Sequence, residues 1–246
     1  MRGLFQAEPF EMLSKEQIVT RLKKYDRPDI VEVYGEIPCP KAAILVPLFF
    51  RDAELRVLLT VRSPKLRSHG GEVACPGGKK DSTDATLLDT ALRESWEEIG
   101  LPREEVEVVA QGVPFFTKSK IVVTPFIGFI EDNFVPIANE SEVDAVFSMP
   151  LMEFLSKDNH TCQKFEGHEG PSYIHFFSHT ENGRTYRPWG ITALTCIVIA
   201  NIIYGKAPEY PMNYEYDSNE PNKLGLTWYK RIVSMYNTTQ LENSKL

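Results

Sequence analysis

Apolar residues along this chain change their period from continuous or alternating runs to a helical three-four spacing and back. That change predicts the elements. Ala42 to Phe50 and Leu55 to Val61 are apolar runs on either side of Arg51-Asp52-Ala53-Glu54, the pattern of two buried strands joined as a hairpin. A glycine-rich loop follows, with Gly70-Gly71 and Pro76-Gly77-Gly78. Asp81-Ser82-Thr83-Asp84 then offers N-cap side chains for a helix reaching Ile99, with Leu88, Ala91, Leu92, Ser95 and Ile99 as its buried stripe. Gly100 suits a left-handed C-cap, and Pro102 blocks continuation. Val106 to Val113, Ile121 to Ile130 and Val143 to Met149 read as strands, the last ahead of a short helix around Leu151 to Leu155. Tyr173 to Ser178 alternates like a strand, Gly183 fits a turn before Tyr186, and the apolar segment Ile191 to Ile203 reads as a buried helix closing the core.

The flanks differ from this centre. Ser14-Lys15-Glu16-Gln17 has the form of a capping box, and Ile18, Val19 and Leu22 follow on one helical stripe. After Gly205 the composition shifts to Pro, Asn, Tyr and Glu, with one short helix from Leu226 to Tyr236, which predicts a loosely attached tail. The division expected is an N-terminal extension over 1–40, one domain over 41–205 and a C-terminal tail over 206–246. Strands interleaved with a few helices indicate a mixed α/β sandwich rather than a regular parallel series.

Composition narrows the function. Across 246 residues the net charge is −7, which argues against broad nucleic-acid binding. Cys39, Cys75, Cys162 and Cys196 are scattered, with no Cys-x-x-Cys, so a reducing compartment and no zinc knuckle are expected. Ile191 to Ile203 is too short to span a bilayer, so no membrane span is expected. The sequence ends Ser244-Lys245-Leu246, the address read by the peroxisomal import receptor, which predicts a peroxisomal location.

The chemistry concentrates in the helix before Gly100. Glu94, Glu97 and Glu98 stand at i, i+3 and i+4, so three carboxylates share one face of one turn. Alone, such a cluster repels itself. A divalent cation removes the repulsion and takes the oxygens as ligands, and Mg²⁺ in particular bridges carboxylates, water and substrate phosphate. Arg93 can pair with Glu97 at i, i+4 and hold it in one rotamer. Pro76-Gly77-Gly78 frees the backbone to approach a ligand closely. Glu142, in a second segment, is a candidate base.

Arg93-Glu94-Ser95-Trp96-Glu97-Glu98-Ile99-Gly100-Leu101 resembles the second half of the Nudix hydrolase box, with Ser95 in place of an aliphatic residue. The first half departs. Ala85 stands where the box has Glu, the loop is one residue longer, and Asp84 is the nearest acid. The segment from Leu58 to Gly78, including Leu58-Leu59-Thr60-Val61-Arg62-Ser63, Arg67, Gly71-Glu72-Val73 and Pro76-Gly77-Gly78, resembles the signature of the coenzyme A diphosphatase branch. That branch has a lengthened, Asp-rich loop before the box, as Lys79 to Asp84 is here. Its usual aromatic before Pro-Gly-Gly is Cys75. With the Ser-Lys-Leu end, the chain resembles the peroxisomal members of this branch.

The resemblance implies a Nudix-type α/β/α sandwich with a mixed β-sheet. It implies a Mg²⁺- or Mn²⁺-dependent diphosphatase that splits coenzyme A and its acyl esters into 3′,5′-ADP and (acyl-)4′-phosphopantetheine. Glu94, Glu97 and Glu98 would hold the metal, with Arg93 beside them. Gly77, Gly78, Arg62 and Arg67 would meet the substrate, the two arginines as candidates for its 3′-phosphate. Two other readings stand beside it: a Nudix hydrolase of another diphosphate, such as ADP-ribose or a dinucleotide, and a catalytically silent sensor that binds coenzyme A esters.

Overall fold

The computed structural model describes residues 13–234 apart from 118, 168–169, 214–215, 224 and 228. Ser244, Lys245 and Leu246, and the predicted helix end at Tyr236, lie outside the described residues. In chain order the elements begin with α1 (Lys15–Lys23), α2 (Ile30–Tyr34), β1 (Lys41–Arg51), β2 (Glu54–Arg62), β3 (Val73–Ala74), β4 (Gly77–Lys79) and α3 (Leu87–Ile99). There follow β5 (Glu107–Gln111), β6 (Phe115–Phe116), β7 (Val122–Phe129), β8 (Val143–Pro150) and a 3-10 segment at Leu151–Leu155. The last are β9 (His160–Gly167), β10 (Gly170–Phe177), β11 (His179–Glu181), β12 (Arg184–Tyr186) and α4 (Gly190–Tyr204).

β1 sits at the centre of a mixed sheet. It runs parallel to β7, from Lys41 opposite Val122 to Leu48 opposite Phe129, and antiparallel to β2 and β4. β2 carries β3 and β8, and β7 carries β5 and β6. Alternate residues of β1 feed two cores. Ala43, Leu45 and Phe49 pack with Ala91, Leu92 and Ile99 of α3, whereas Val46 and Leu48 pack with Cys196, Ile197 and Ala200 of α4. Helices cover both faces, which is why β1 reads as a nearly unbroken apolar run. The result is an α/β/α sandwich. Among the described residues, no helix is long and apolar enough to cross a membrane.

Local signals explain most boundaries. The β1–β2 hairpin turns through Asp52 and Ala53, at φ 52° and 64°, the sign a two-residue hairpin turn requires. Ser14 forms the predicted capping box with Gln17. Gly100 is left-handed at φ 68° and closes α3 with its N–H on the Ser95 and Trp96 carbonyls.

The start of α3 corrects the expectation. Its N-cap is Thr86, in a capping box with Asp89, and not any of Asp81 to Asp84. Asp81 instead accepts the Thr83 N–H at 3.0 Å and closes a turn, which leaves Asp84 to point inward. β9 escaped prediction because His160–Gly167 is polar and largely exposed, pairing only with β10 in a separate two-stranded ribbon.

The segments outside 41–205 pack closely on it. Ile18 and Leu22 belong to the α4-side core. Tyr229 and Val233 are buried with Ile30 and Ile37, and Tyr229 Oη donates to the Gly35 carbonyl at 3.0 Å. Asn222 donates to the Tyr25 carbonyl at 2.9 Å. Described residues after Gly205, Asn222, Tyr229 and Val233 among them, therefore pack on the rest of the chain.

Candidate active site

Two elements meet where β4 crosses the N-terminal half of β1. A Cβ on Gly77 would strike the Ala43 carbonyl and the Ile44 backbone, so glycine is what lets β4 lie this close. A Cβ on Gly78 would overlap the carboxyl group of Glu94. The Pro-Gly-Gly loop thus leaves room for α3 to project its acids across the sheet edge.

Glu98 is 3% exposed. Its Oε2 accepts the Gly77 N–H at 3.2 Å, and its Oε1 lies 3.6 Å from Arg62 Nη1. Burial pushes its pKa up to about 7, against the pull of the Gly77 N–H and Arg62 and with the help of Glu94 and Glu142. Burial raises Glu94 as well, while Arg93, 3.0 Å away, pulls it down. Glu94, Glu98 and Glu142 each offer one oxygen within 4.8 Å of the other two. Among the described residues this is the one such grouping of potential metal-binding side chains.

Glu142 reaches the cluster through an anchored segment. The Asn139 N–H binds the Glu98 carbonyl at 2.9 Å, the Glu142 N–H binds the Asn139 carbonyl at 2.9 Å, and the Glu142 carbonyl accepts the Ser63 N–H at 2.7 Å. These bonds tie the segment to both α3 and the end of β2.

Glu97 lies outside the cluster. Its side chain is 47% exposed, and it accepts from Arg93 Nη1 at 2.8 Å, the i, i+4 pair expected from the sequence. Arg93 is held on several sides. Its Nε donates to Asp84 Oδ1 at 2.8 Å, and its Nη2 donates to Asp84 Oδ2 at 2.9 Å and to the Lys79 carbonyl at 3.2 Å. Asp84 is buried and also accepts from the Asp81 N–H and the Thr90 hydroxyl. The structure therefore adds Asp84 to the site as the anchor of Arg93, a role whose only sequence signal was its place as the nearest acid to the missing glutamate.

The NUDIX domain family model matches residues 40–166. Nudix hydrolase 15, mitochondrial, of Arabidopsis thaliana is 41% identical over 173 residues, which cover 69% of this chain and 61% of that protein. The peroxisomal coenzyme A diphosphatase NUDT7 of Mus musculus is 37% identical over 198 residues, covering 79% of this chain and 82% of that protein. Nudix hydrolase 22, chloroplastic, of Arabidopsis thaliana is 36% identical over 213 residues, covering 84% and 70%. The chain belongs to the Nudix family. It is a Nudix hydrolase, an enzyme acting on pyrophosphate bonds.

Nudix hydrolases generally need divalent cations such as Mg²⁺ or Mn²⁺, and the donor set here fits one. Three crowded carboxylates, Glu98 buried and Glu94 and Glu142 half-buried, are hard oxygen ligands whose mutual repulsion a cation would remove. The two arginines of the upstream Nudix segment part company. Arg62 stands against Glu98, and its Nε is buried with no hydrogen-bond partner. Arg67 is exposed in the loop that follows β2. His69 nearby pairs with Glu72 at 2.9 Å.

Proposed function

We propose that this Nudix hydrolase is a divalent-metal-dependent diphosphatase of coenzyme A and its acyl esters, releasing 3′,5′-ADP and (acyl-)4′-phosphopantetheine. The observation that carries the reading is the Glu94–Glu98–Glu142 cluster beside Arg62 and the Pro76-Gly77-Gly78 loop. The segment that resembles the coenzyme A diphosphatase branch thereby lies against the acids that would hold the metal. The likeness to the mouse peroxisomal coenzyme A diphosphatase over 79% of the chain supports it.

Glu94 and Glu98 hold the cation in this reading, and Glu142 takes a proton from the attacking water. When bound, Mg²⁺ or Mn²⁺ neutralises pyrophosphate charge and lowers the pKa of that water. Gly77 fixes the Glu98 carboxyl through its N–H, and Arg93 fixes Glu94. Glu97 acts one step back, through Arg93. Arg62, partly exposed beside Glu98, offers its guanidinium to a pyrophosphate oxygen, and Arg67 is left for the 3′-phosphate.

The test is incubation with coenzyme A and Mg²⁺ or Mn²⁺, with products identified by mass. Release of 3′,5′-ADP is expected, and its absence defeats the proposal. We further infer import into the peroxisome through its receptor, with Ser244-Lys245-Leu246 as the address. Replacing Leu246 with aspartate should leave a fluorescent fusion, tagged at its N-terminus, outside the organelle. Retained import would overturn the assignment.

A further inference from the structure

Glu142 stands where the sheet stops holding the chain. Val143, opposite Arg62, is the first residue of β8 to pair with β2, and the pairing shifts register between Val61 and Arg62. The ladder therefore ends one residue short of Glu142, at an irregularity of the kind that re-aims a side chain. What fixes Glu142 is the turn before it, and that turn is built around one residue.

Asn139 bonds in three directions. Its N–H donates to the Glu98 carbonyl at 2.9 Å, and its own carbonyl accepts the N–H groups of Glu142 at 2.9 Å and Val143 at 2.8 Å. Its side-chain Oδ1 accepts the Ser141 N–H at 3.2 Å and the Ser141 hydroxyl at 2.6 Å. An asparagine whose side chain bonds the backbone two residues on closes the chain as an Asx turn. Beyond the turn, the Ser63 N–H holds the Glu142 carbonyl at 2.7 Å. Asn139 thus joins the backbones of two acids of the cluster, Glu98 on α3 and Glu142 on the turn, each with a carboxylate oxygen within 4.8 Å of the other's.

We propose that Asn139 is a positioning residue for hydrolysis: its side chain locks the 139–142 turn and so sets the reach of the Glu142 carboxylate toward the attacking water. The inference rests on the reading of Glu142 as the group that takes the proton. It does not depend on which diphosphate is cleaved.

The test measures kcat and KM on coenzyme A and on ADP-ribose for the full chain, Asn139→Ala, Asn139→Asp, Glu142→Gln and the double variant Asn139→Ala, Glu142→Gln. Asn139→Ala removes only the side-chain bonds to Ser141, so the fold should be kept, and the thermal midpoint checks this. Its kcat should fall roughly tenfold to a hundredfold, the scale of a small misplacement, with KM near that of the parent. Asn139→Asp keeps an oxygen on Ser141 and should recover most of the loss. A residue that acts only through Glu142 has nothing to position once Glu142 is gone, so adding Asn139→Ala to Glu142→Gln should cost less than about twofold. A parent-like kcat in Asn139→Ala, or a full further loss in the double variant, overturns the positioning role and leaves Glu142 as the base. Glu142→Gln as active as the parent overturns the reading of Glu142, and the role of Asn139 with it. An unaltered protein that cleaves neither substrate does the same.

Discussion

Asp84 grips Arg93 with both oxygens, Oδ1 on Nε at 2.8 Å and Oδ2 on Nη2 at 2.9 Å. The guanidinium holds the Asp84 carboxyl well below the usual carboxylate range, despite its burial. Through Arg93 the pair reaches Glu94 and Glu97. The acid missing from the first half of the box is thus replaced one residue away, on a loop one residue longer.

Asp84→Ala should therefore cost both stability and turnover. Removing Asp84 strips Arg93 of its bidentate, buried partner and leaves it only Glu94 and Glu97 as charged partners, a loss of about 2 kcal/mol for charged hydrogen bonds. Misplacing Glu94 by a fraction of an ångström should lower kcat by roughly tenfold to a hundredfold. Urea denaturation and steady-state kinetics read the two effects. A variant as stable and as active as the parent would show that the pair is ornamental.

The acids of the cluster should separate by role. Glu98→Gln should lose Mn²⁺ binding, read by titration calorimetry, together with turnover. Glu142→Gln should lower kcat by roughly a hundredfold or more, the scale of a general base, while keeping more of the Mn²⁺ affinity. Glu97→Gln should have the mildest effect, because Arg93 keeps Asp84 and Glu94. If Glu142→Gln abolishes Mn²⁺ binding as completely as Glu98→Gln, Glu142 is a ligand and the base lies elsewhere.

Much of this arrangement was legible because its signals are local. The Ser14 capping box, the Gly100 terminus and the Arg93–Glu97 pair each involve residues within one turn. The β1–β2 hairpin and the buried α4 helix announce themselves by long, mostly apolar runs. What was not legible depends on partners far apart in sequence. β3, β4 and β6 are too short to carry a period and exist because β2, β1 and β7 bind them. Glu97 shows the same limit at the site, while Glu142, named from the sequence as a candidate base, is placed there only by the fold. Helical spacing alone puts Glu97 beside Glu94 and Glu98, but the rotation of α3 against β4 turns it toward Arg93, and only the path of residues 137–142 brings Glu142 in.

The upstream arginines should give different kinetic signatures. Arg62 stands 3.6 Å from a Glu98 oxygen, so Arg62→Ala should lower turnover on coenzyme A and ADP-ribose alike, by about tenfold or more for a lost charged hydrogen bond. Arg67→Ala should raise KM for coenzyme A and leave ADP-ribose nearly unaffected, because only the former carries the 3′-phosphate. Equal losses on both substrates for Arg67→Ala would remove it from that role.

Acid should weaken the protein through a pair outside the carboxylate cluster. His160 Nε2 and His175 Nδ1 are 3.0 Å apart, and the His160 ring stacks on Tyr210 with centroids 3.6 Å apart. Burial pushes both imidazoles down, each to about 4, whereas in the unfolded chain they titrate near the ordinary value of about 6.5. Below about pH 6.5 the unfolded chain takes up protons that the folded one refuses, so folding stability is full above that pH and falls as pH drops toward 4. Urea midpoints at about pH 7 and about pH 5.5 are compared in the Glu98→Gln background, because Glu98, pushed up to about 7, titrates in the same window with the opposite sign. The midpoint should fall between them, and His175→Phe, which keeps a flat ring on Tyr210 but cannot titrate, should flatten the dependence. An equally steep dependence in the variant would assign the acid sensitivity to other groups.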